Sequence, residues 1–460
     1  MTATESQHPK KSPHITGPLG DFVEFRNGRS SPVRTDSGIF PVYGSNGEIG
    51  KAEITNALEG TVIVGRVGSY CGSVHYSSSK CWVTDNAIVG RSKSQKDSRF
   101  WFYKLASLDL NNYRAGSGQP LLNQQILNSI QVSVPASEDD RYQIAKTLAL
   151  FDDKIDLNRR INQTLEAMAQ AIFKSWFVDF DPVKAKIAAI EQGQDPLRAA
   201  MRAISGKTDA ELDQMPREHH DQLTATAALF PDAMEESELG ETPKGWSLVP
   251  FGSLLSYTIG GDWGTEATDT VNDTRVAIIR GTDIPDLDQA QLSRVPIRYT
   301  NQKKLATRRL QVGDIVLEVS GGSKDQPTGR SFYMTANALR EFDCPVEPAS
   351  FCRLLRPVSL EVGVVLSLHL SYIYQQGKTW EYQNQSTGIA NFQTSHFLEA
   401  ELVVAPPNSV LEVFCGMVSP ILERRHDAQG RKLALTRDTL LPKLMSGELS
   451  VSCPLNEDAQ

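Results

Sequence analysis

Residues 116–180, GSGQPLLNQQILNSIQVSVPASEDDRYQIAKTLALFDDKIDLNRRINQTLEAMAQAIFKSWFVDF, predict a short strand and then a long helix around which the chain is organised. Residues spaced alternately four and three apart predict one helix face that packs against a partner helix. These seam residues are Ile144, Leu148, Phe151, Ile155, Asn158, Asn162, Leu165, Ala169, Ile172 and Trp176. The two asparagines interrupt an apolar face, which costs stability and fixes the register of pairing. The helix is therefore expected to meet one particular partner in one alignment.

A weaker copy of this segment lies 270 positions later. Leu122 aligns with Phe392, Val134 with Val404, and Leu165 with Leu435, so apolar positions fall on apolar positions. Both copies predict a strand that ends near a proline and is followed by a helix. Residues 20–23 also align with 252–255, and residues 60–67 with 313–320, in the same order. The chain is therefore predicted to be a tandem duplication in which a module and its helix occur twice.

The duplication divides the chain into segments. The two modules are separated by the first helix and by a segment without a counterpart in the second half. We predict the following segments: 1–16, disordered leader; 17–138, first module; 139–182, first spacer helix; 183–245, linker with short helices; 246–408, second module; 409–449, second spacer helix; 450–460, tail. Short β-type runs separated by Gly, Ser and Asn turns predict that each module is α+β.

Composition excludes several classes of protein. A chain of 460 residues is long enough for two or three domains with cores of their own. No apolar run is long enough to cross a bilayer, and residues 1–16 lack the apolar core of a signal peptide, so we expect a cytoplasmic protein without a membrane partner. The six cysteines form no CxxC pair and the eight histidines no HExxH, so no metal site is expected.

The net charge of −8 is unevenly distributed. Residues 17–137 hold 12 Lys and Arg against 9 Asp and Glu, a net charge of +3, whereas residues 246–409 hold 14 against 17, a net charge of −3. Attraction to phosphates underlies most DNA affinity. If the chain binds DNA, it either presents local basic patches or depends on a partner subunit for phosphate contacts.

No motif for catalysis is present. The segment GGSKDQPTG (321–329) is not a GxxxxGK[ST] phosphate loop, residues 116–118 do not continue into a dinucleotide fingerprint, and there is no GxSxG elbow. A methyltransferase would need a glycine-rich cofactor loop and an (Asp/Asn)-Pro-Pro-aromatic loop, and the only Pro-Pro lies in APPN (405–408). We therefore expect no catalytic residues, no bound cofactor and no small-molecule substrate in this chain.

Segments along nearly the whole chain resemble the DNA specificity subunit of a type I restriction-modification enzyme. They are FPVYGSNGEIG (40–50), GTVIVGRVGSYCGSV (60–74), AGSGQPLLNQQIL (115–127), KSWFVDFDPV (174–183), ELGETPKGW (238–246) and LTRDTLLPKLMSGEL (435–449). The resemblance implies an α+β fold with two target-recognition domains, separated by two long antiparallel helices that form an intramolecular coiled coil with a pseudo-twofold axis. Each domain would read one half of a split double-stranded DNA target.

The resemblance also implies partners. Two methyltransferase subunits would bring S-adenosylmethionine, and motor-nuclease subunits would bring ATP, Mg and the cutting activity.

The length of the predicted helix is compatible with a spacer between two half-sites. A first helix from about residue 140 to 177 would be ~57 Å long. Half-sites on one face of DNA are about 34–36 Å apart per turn. Two modules joined by such helices could therefore read two half-sites with an unread spacer between them.

Loops made equivalent by the repeat alignment supply the candidate DNA-reading residues, because polar side chains recognise base edges. The alternative for Tyr43 and Tyr70 is simple packing, and for Asp283 the capping of a turn. In the first module the candidates are Tyr43, Ser45, Asn46, Arg66, Ser69, Tyr70, Ser117, Gln119 and Asn123. In the second they are Arg280, Asp283, Ser320, Lys324, Gln326, Arg330, Gln385, Ser386 and Asn391.

Two other functions are compatible with the sequence. A free-standing specificity protein or decoy would bind DNA or a methyltransferase without a restriction partner. A coiled-coil scaffold would have no DNA role. Binding to a pool of random duplexes in the presence of the methyltransferase distinguishes the scaffold from both DNA-binding functions.

Overall fold

The computed structural model describes residues 13–114, 121–237, 240–289, 294–321, 326–386, 389–427 and 429–451. The chain divides into two compact units. Unit 1 comprises Met1–Asp156 and Lys432–Gln460, and unit 2 comprises Leu157–Arg431. Each unit combines sheets with helices, as the predicted α+β fold requires. Within the described residues, no helix is both long and apolar enough to cross a membrane.

Unit 1 contains the first module and parts of two long helices. The four-stranded sheet has the order β2-β8-β5-β6, the three-stranded sheet the order β4-β3-β7, and β1 pairs with β9. Its elements are β1 (His14–Pro18), β2 (Val23–Asn27), β3 (Phe40–Gly44), β4 (Gly47–Ala52), β5 (Thr61–Gly65), β6 (Val74–Ser77), β7 (Trp82–Val83), β8 (Ala87–Ser92), α1 (Ser98–Ser107), α2 (Gln124–Ser129), β9 (Gln131–Pro135) and the N-terminal part of α3 (Glu138–Phe177).

Strand β5 shows why the module is layered. All five residues of TVIVG are buried, so the strand has no solvent face. Successive side chains point to opposite faces of a sheet. Val62 and Val64 accordingly pack in one cluster with Trp101 of α1, whereas Ile63 packs in another with Val83 of the three-stranded sheet. The four-stranded sheet therefore lies between helices on one face and the smaller sheet on the other.

Unit 2 contains the second module and the segment that precedes it. Its elements are α4 (Asp181–Glu191), α5 (Pro196–Ser205), α6 (Asp209–Asp213), α7 (Arg217–Ala228), β10 (Met234–Ser237), β11 (Gly240–Pro243), β12 (Ser247–Pro250), β13 (Leu255–Gly260), β14 (Thr274–Ile279), α8 (Ile284–Leu287), β15 (Ile297–Thr300), α9 (Gln302–Arg308), β16 (Ile315–Glu318), β17 (Ser320–Gly321), β18 (Ser331–Tyr333), α10 (Ala336–Arg340), β19 (Val346–Pro348), β20 (Cys352–Pro357), α11 (Leu360–Gln375), β21 (Gln383–Ser386), β22 (Ile389–Phe392), α12 (Thr394–Ala400), β23 (Leu402–Ala405) and α13 (Asn408–Arg425). Helix α14 (Gln429–Met445) then lies mainly in unit 1.

The two modules share one topology. The sheet order β13-β20-β16-β18 repeats β2-β8-β5-β6, with antiparallel neighbours throughout. In the smaller sheets, β3 and β14 each have one antiparallel and one parallel neighbour. The pairs β1-β9 and β12-β23 also correspond. The predicted tandem duplication of α+β domains is confirmed.

The segment predicted to be a linker with short helices, residues 183–245, holds most of α4, then α5 to α7 and the β10-β11 hairpin. Helices α5 to α7 share a small core of Ala200, Met201, Leu212 and Ala227. The buried Lys186 ammonium donates to the carbonyl of Phe230 over 2.6 Å. This segment is therefore a packed helical part of unit 2.

Helix α3 begins at a polar cap and runs for 40 residues. The Ser137 hydroxyl accepts from the backbone N–H groups of Asp139 and Asp140, as an N-cap does. The helix ends at Phe177, where the sequence predicted the end of a helix from about residue 140, inside the segment 139–182. Phe180 adopts a left-handed conformation (φ 56°), and Pro182 is the second residue of α4. Proline disfavours helical backbone in the residues before it, which together with the left-handed Phe180 separates α3 from α4.

The helices pair antiparallel within each unit. In unit 2, the ring of Phe414 lies 4.7 Å from that of Phe177, while the Asn162 amide donates to the carbonyl of Arg425 over 2.9 Å. The partner residue number therefore falls as the number along α3 rises. In unit 1, Arg437 forms an ion pair with Asp152 at 2.6 Å. The prediction that α3 finds its partner helix in the same chain is confirmed.

All ten predicted seam residues lie at least partly inside the protein. Ile144, Leu148, Ile155, Ala169 and Trp176 are buried, and the other five, Phe151, Asn158, Asn162, Leu165 and Ile172, are half-buried.

The second helix is interrupted, whereas the sequence predicted one helix over 409–449. Helix α13 ends at Arg425, and α14 starts at Gln429. His426 turns into the core of unit 2, where its Nδ1 is 2.9 Å from the Thr335 hydroxyl. Asp427 accepts from the backbone N–H of Gln429 and forms an ion pair with Arg424. The break therefore coincides with a buried histidine and with an aspartate that caps the start of α14.

Candidate nucleic-acid interface

Three loops of unit 1 converge at one end of its sheets. Residues 44–47, 66–73 and 84–87 follow β3, β5 and β7, and together they form what we term junction 1. The Arg66 N–H donates to the carbonyl of Asn86 over 2.9 Å, and the Leu122 N–H donates to the carbonyl of Arg66 over 3.1 Å. The convergence therefore rests on backbone bonds, which do not depend on the side chains that the loops expose.

Gly65 lies at the centre of junction 1. A Cβ at this position would lie 2.3 Å from the Tyr70 carbonyl oxygen and 3.0 Å from that of Ser45. The Ser73 hydroxyl donates to the same Ser45 carbonyl over 2.5 Å. His75 lies beside Ser73, with 3.3 Å between its Nε2 and the hydroxyl, and burial lowers the pKa of His75. Only glycine permits loops this close together.

The predicted reading residues of the first module divide into exposed and packed groups. Asn46, Ser69 and Tyr70 are exposed on junction 1, and Ser45 and Arg66 lie half-buried beside them. Tyr43 packs against the small core between the sheets, and burial raises its pKa.

The remaining candidates of the first module lie next to α2. Asn123 caps this helix by accepting from the N–H of Ile126 over 2.8 Å. Ser117 and Gln119 lie outside the described residues. The structure thus brings together five of the nine candidates on the exposed side of junction 1 and gives Tyr43 and Asn123 structural contacts.

Unit 2 has an equivalent site, which we term junction 2, formed by residues 280–283, 319–321 and 349–352, which follow β14, β16 and β19. The Val319 N–H donates to the carbonyl of Phe351 over 2.9 Å, and the Phe392 N–H donates to that of Val319 over 2.9 Å. These bonds correspond to those of Arg66 and Leu122 in junction 1. The two junctions therefore have the same backbone frame.

The centre of junction 2 is an ion pair instead of a glycine. Glu318 occupies the position of Gly65, and its carboxylate, almost fully buried, accepts two bonds from Arg330, at 2.5 and 2.8 Å. A Cβ on Gly281 would lie only 2.4 Å from the Oε1 atom of Glu318, so a side chain at position 281 would clash with this carboxylate. A bidentate pair of this kind holds both side chains in one geometry.

Several predicted reading residues of the second module form side-chain bonds with other residues of unit 2. Arg280 binds the buried carboxylate of Asp283 through Nε and an Nη nitrogen, and Asp283 caps the turn by accepting from the Arg280 N–H. Arg330 binds Glu318, and the hydroxyl of Ser320 donates to Asn391 over 2.9 Å. These five residues position the loops of junction 2.

Other candidates of the second module remain available at the surface or lie outside the described structure. Gln326 is exposed. Gln385 and Ser386 are in β21, but their side chains are outside the described part of the structure, as is the whole of Lys324.

A basic groove of about 420 Å³ lies on unit 1, at the opposite end of β5 from junction 1. Arg26, Arg29 and Arg91 line it, and among its described lining residues only Glu24 is acidic. In unit 2 the residue equivalent to Arg91 is Arg356, which forms a bidentate pair with Asp314 at 2.8 Å. Thr61 stands in the place of that aspartate in unit 1, so Arg91 lacks the corresponding counter-charge.

The turns at residues 84–87 and 349–352 contribute exposed residues that our sequence analysis missed. They correspond at a separation of 265 positions, between the separations of 253 and 270 that located the repeat. The signal was present in the sequence, because each turn separates two β-type runs. Alignment of the two halves by residue type does not reveal the correspondence, because residues 84–87 are TDNA and residues 349–352 are ASFC.

Comparison with known proteins agrees with this architecture. The family described as type I restriction modification DNA specificity domain matches residues 15–167. The crystal structure of the type I restriction-modification S subunit from M. genitalium superposes with a TM-score of 0.53 at 13% identity, covering 97% of this chain and 99% of that one. This structural similarity shows that the chain and that S subunit have the same fold.

Two curated relatives extend the match. The specificity subunit of the type I restriction enzyme MjaIX from Methanocaldococcus jannaschii is 22% identical over 381 residues, which is 79% of this chain and 71% of that protein. The specificity subunit of the type I restriction enzyme HindI from Haemophilus influenzae is 30% identical over 353 residues, covering 72% of this chain and 71% of that protein. This chain therefore belongs to the family of type I restriction enzyme specificity subunits.

Proposed function

We propose that the chain recognises a DNA target in two parts, with junction 1 reading one half and junction 2 the other. One observation carries the proposal: the two units present the same backbone frame with different exposed side chains. A frame held by backbone hydrogen bonds keeps its geometry when the side chains on it change. Different side chains on equal frames suit the reading of two different short sequences.

The chain is proposed to supply specificity and no catalysis. It would direct methylation and cleavage of the target by partner subunits. Two methyltransferase subunits would bring S-adenosylmethionine, and motor-nuclease subunits would bring ATP and Mg. The names of the curated relatives, which are subunits of type I restriction enzymes, support this assignment. A chain with an excess of acidic residues also suits a complex in which partners supply many of the phosphate contacts.

Each module is fixed to a long helix, which supports a role for the helices in setting the spacer between half-sites. In unit 1, the Arg141 guanidinium at the start of α3 binds the buried Asp97 carboxylate at 2.6 Å. In unit 2, the Glu423 carboxylate of α13 accepts from the N–H groups of Ala336 and Asn337, both over 2.8 Å. Attachments of this kind limit rotation of a module about its helix.

Replacement of one module tests the proposal. Residues 17–137 would be exchanged for the corresponding module of a relative with a different target, and the methylated sequences of cells carrying either chain would be compared. We expect one half of the target to change and the other half and the spacer to stay the same. A change in both halves would contradict independent reading, and the absence of any sequence-dependent methylation with the unaltered chain would favour a scaffold without a DNA role.

A further inference from the structure

Each junction includes a four-residue turn that is closed in the same way. In unit 1 the Ala87 N–H donates to the carbonyl of Thr84 over 3.0 Å. In unit 2 the Cys352 N–H donates to the carbonyl of Ala349 over 2.8 Å. Both turns lead into corresponding strands, β8 and β20. We term them tip turn 1 (residues 84–87) and tip turn 2 (residues 349–352).

The two tip turns are anchored by corresponding strands of their own units. The first residue of each turn donates to the strand beside it, Thr84 to the Tyr43 carbonyl and Ala349 to the Ile279 carbonyl, both over 2.8 Å. The third residue accepts from the residue that follows the strand on the other side: Asn86 accepts from Arg66, just after β5, and Phe351 accepts from Val319, just after β16. Each tip turn is thus held at both ends by the body of its module.

A glycine lies beneath each turn. A Cβ on Gly28 would lie 2.0 Å from the Thr84 carbonyl oxygen, and one on Gly261 would lie 2.1 Å from that of Ala349. The same close approach thus occurs in both units, at corresponding positions after β2 and β13. Backbone this tightly packed has little freedom to move, so the tip turns present their side chains in a defined direction.

The third residue of each turn projects into solvent with a different chemistry. Asn86 is exposed, and Phe351 is 63% exposed although it is a large apolar side chain. Single exposed apolar side chains are common on protein surfaces, so exposure alone decides nothing. Here the exposed ring sits on an anchored turn, at the position where the other unit exposes an amide.

The backbone does not require either residue. Among the described non-glycine residues, only Phe180 has a positive φ, so Asn86 does not occupy the left-handed conformation that favours asparagine. Equivalent turns carry Asn in one unit and Phe in the other. Neither identity is therefore set by the fold of the turn.

We propose that Asn86 and Phe351 are specificity-determining residues, one for each half of the DNA target. The assignment rests on the proposed DNA-reading function of the junctions. In the major groove, an asparagine amide pairs with N6 and N7 of adenine, and an apolar ring contacts the 5-methyl group of thymine. Asn86 would thus select adenine in the half-site of unit 1, and Phe351 would select thymine in the half-site of unit 2.

The test combines variant chains with altered bases. The full chain, with its methyltransferase subunits, would first select its target from random duplexes. Asn86→Ala and Phe351→Ala would then be compared with two controls, Gln131→Ala in unit 1 and Val358→Ala in unit 2, both exposed and away from the junctions. We expect each tip variant to lose roughly tenfold discrimination at one position of one half-site, and the controls to keep the unaltered preference.

Base analogues test the atoms involved. Replacing the selected adenine by 7-deazaadenine should weaken binding of the unaltered chain roughly tenfold and leave binding of Asn86→Ala unchanged. Replacing the selected thymine by uracil removes one methyl group and should weaken binding about fourfold, with no further effect on Phe351→Ala.

The outcomes separate this inference from the function on which it rests. If the unaltered chain selects a bipartite target and both tip variants select the same target with equal discrimination, Asn86 and Phe351 do not determine specificity, while the proposed function stands. If the unaltered chain selects no sequence at all, the proposed function fails and the inference fails with it. Thermal unfolding of the variants should match that of the unaltered chain, since both side chains are exposed.

Discussion

His426 is a buried imidazole at the break between α13 and α14. It is 3% exposed, lies 5.0 Å from the ring of Phe332 and bonds to the Thr335 hydroxyl through Nδ1. Its Nε2 has no hydrogen-bond partner among the described residues. Burial and, secondarily, the charge of Arg425 lower the pKa of His426 to about 3. The folded state therefore favours the neutral form of this side chain.

The depressed pKa predicts acid sensitivity. Below the unfolded value of 6.5, the unfolded chain binds a proton that folded His426 does not, so stability falls as the pH decreases from about 6.5 towards 3. The loss is about 1.4 kcal/mol per pH unit. His426→Gln removes this titration, so denaturant unfolding between pH 7 and pH 5 should show a shallower decline for the variant. The carboxyl groups of the chain are the same in both proteins, so their contribution cancels in the comparison, and parallel curves would contradict the assignment.

The two asparagines of α3 differ in their contacts. Asn162 donates to the carbonyl of Arg425 in the last turn of α13. The Nδ2 atom of Asn158 is buried and has no partner among the described residues. A buried donor without a partner costs about 1–3 kcal/mol, whereas a satisfied one contributes about 1 kcal/mol. Only Asn162 has the contact that a register-setting residue needs.

Replacement by leucine should separate the two positions. Asn158→Leu is expected to raise the free energy of unfolding by about 1–2 kcal/mol, because it removes an unpaired amide from a mainly apolar face. Asn162→Leu should lower it by a similar amount, because the Arg425 carbonyl loses its donor. Urea denaturation measures both changes, and equal effects of the two substitutions would mean that the contact between Asn162 and Arg425 does not set the register.

Charge is distributed differently over the two units of the molecule. The basic groove of unit 1 holds Arg91 without the aspartate that neutralises Arg356 in unit 2. The net charges of the two modules agree with this difference, since only that of the first module is positive. We therefore expect unit 1 to make a larger share of the phosphate contacts that this chain contributes.

The salt dependence of DNA binding tests this asymmetry. Each phosphate contact that is lost should reduce the slope of log K against log salt by about 0.9. Arg91→Gln in the groove should show such a reduction and weaken binding to all duplexes alike. Lys80→Gln, which removes the same charge from an exposed position outside the groove, should leave the slope unchanged. Equal slopes for Arg91→Gln and the unaltered chain would exclude a phosphate contact at this site.

The amino-acid sequence by itself determined the duplication, the α+β modules and the helix pair within one chain. These features depend on local patterns: apolar spacing of three and four in α3, and β-type runs such as TVIVG. Patterns of this kind survive in both copies even where the residue types have diverged. The resemblance to specificity subunits also rested on segments that can be read along the chain.

Only the tertiary structure decided which of the predicted reading residues are exposed and which are bound to other residues of the chain. Arg280 and Arg330 have the chemistry of reading residues, but each is bound to a buried carboxylate, Asp283 or Glu318. The correspondence between Phe351 and Asn86 depends on the backbone hydrogen bonds that their two turns share. At the break between α13 and α14, His426 likewise contacts Thr335, which lies 91 positions away in the sequence. Burial and pairing join distant residues, and local sequence patterns do not encode those partners.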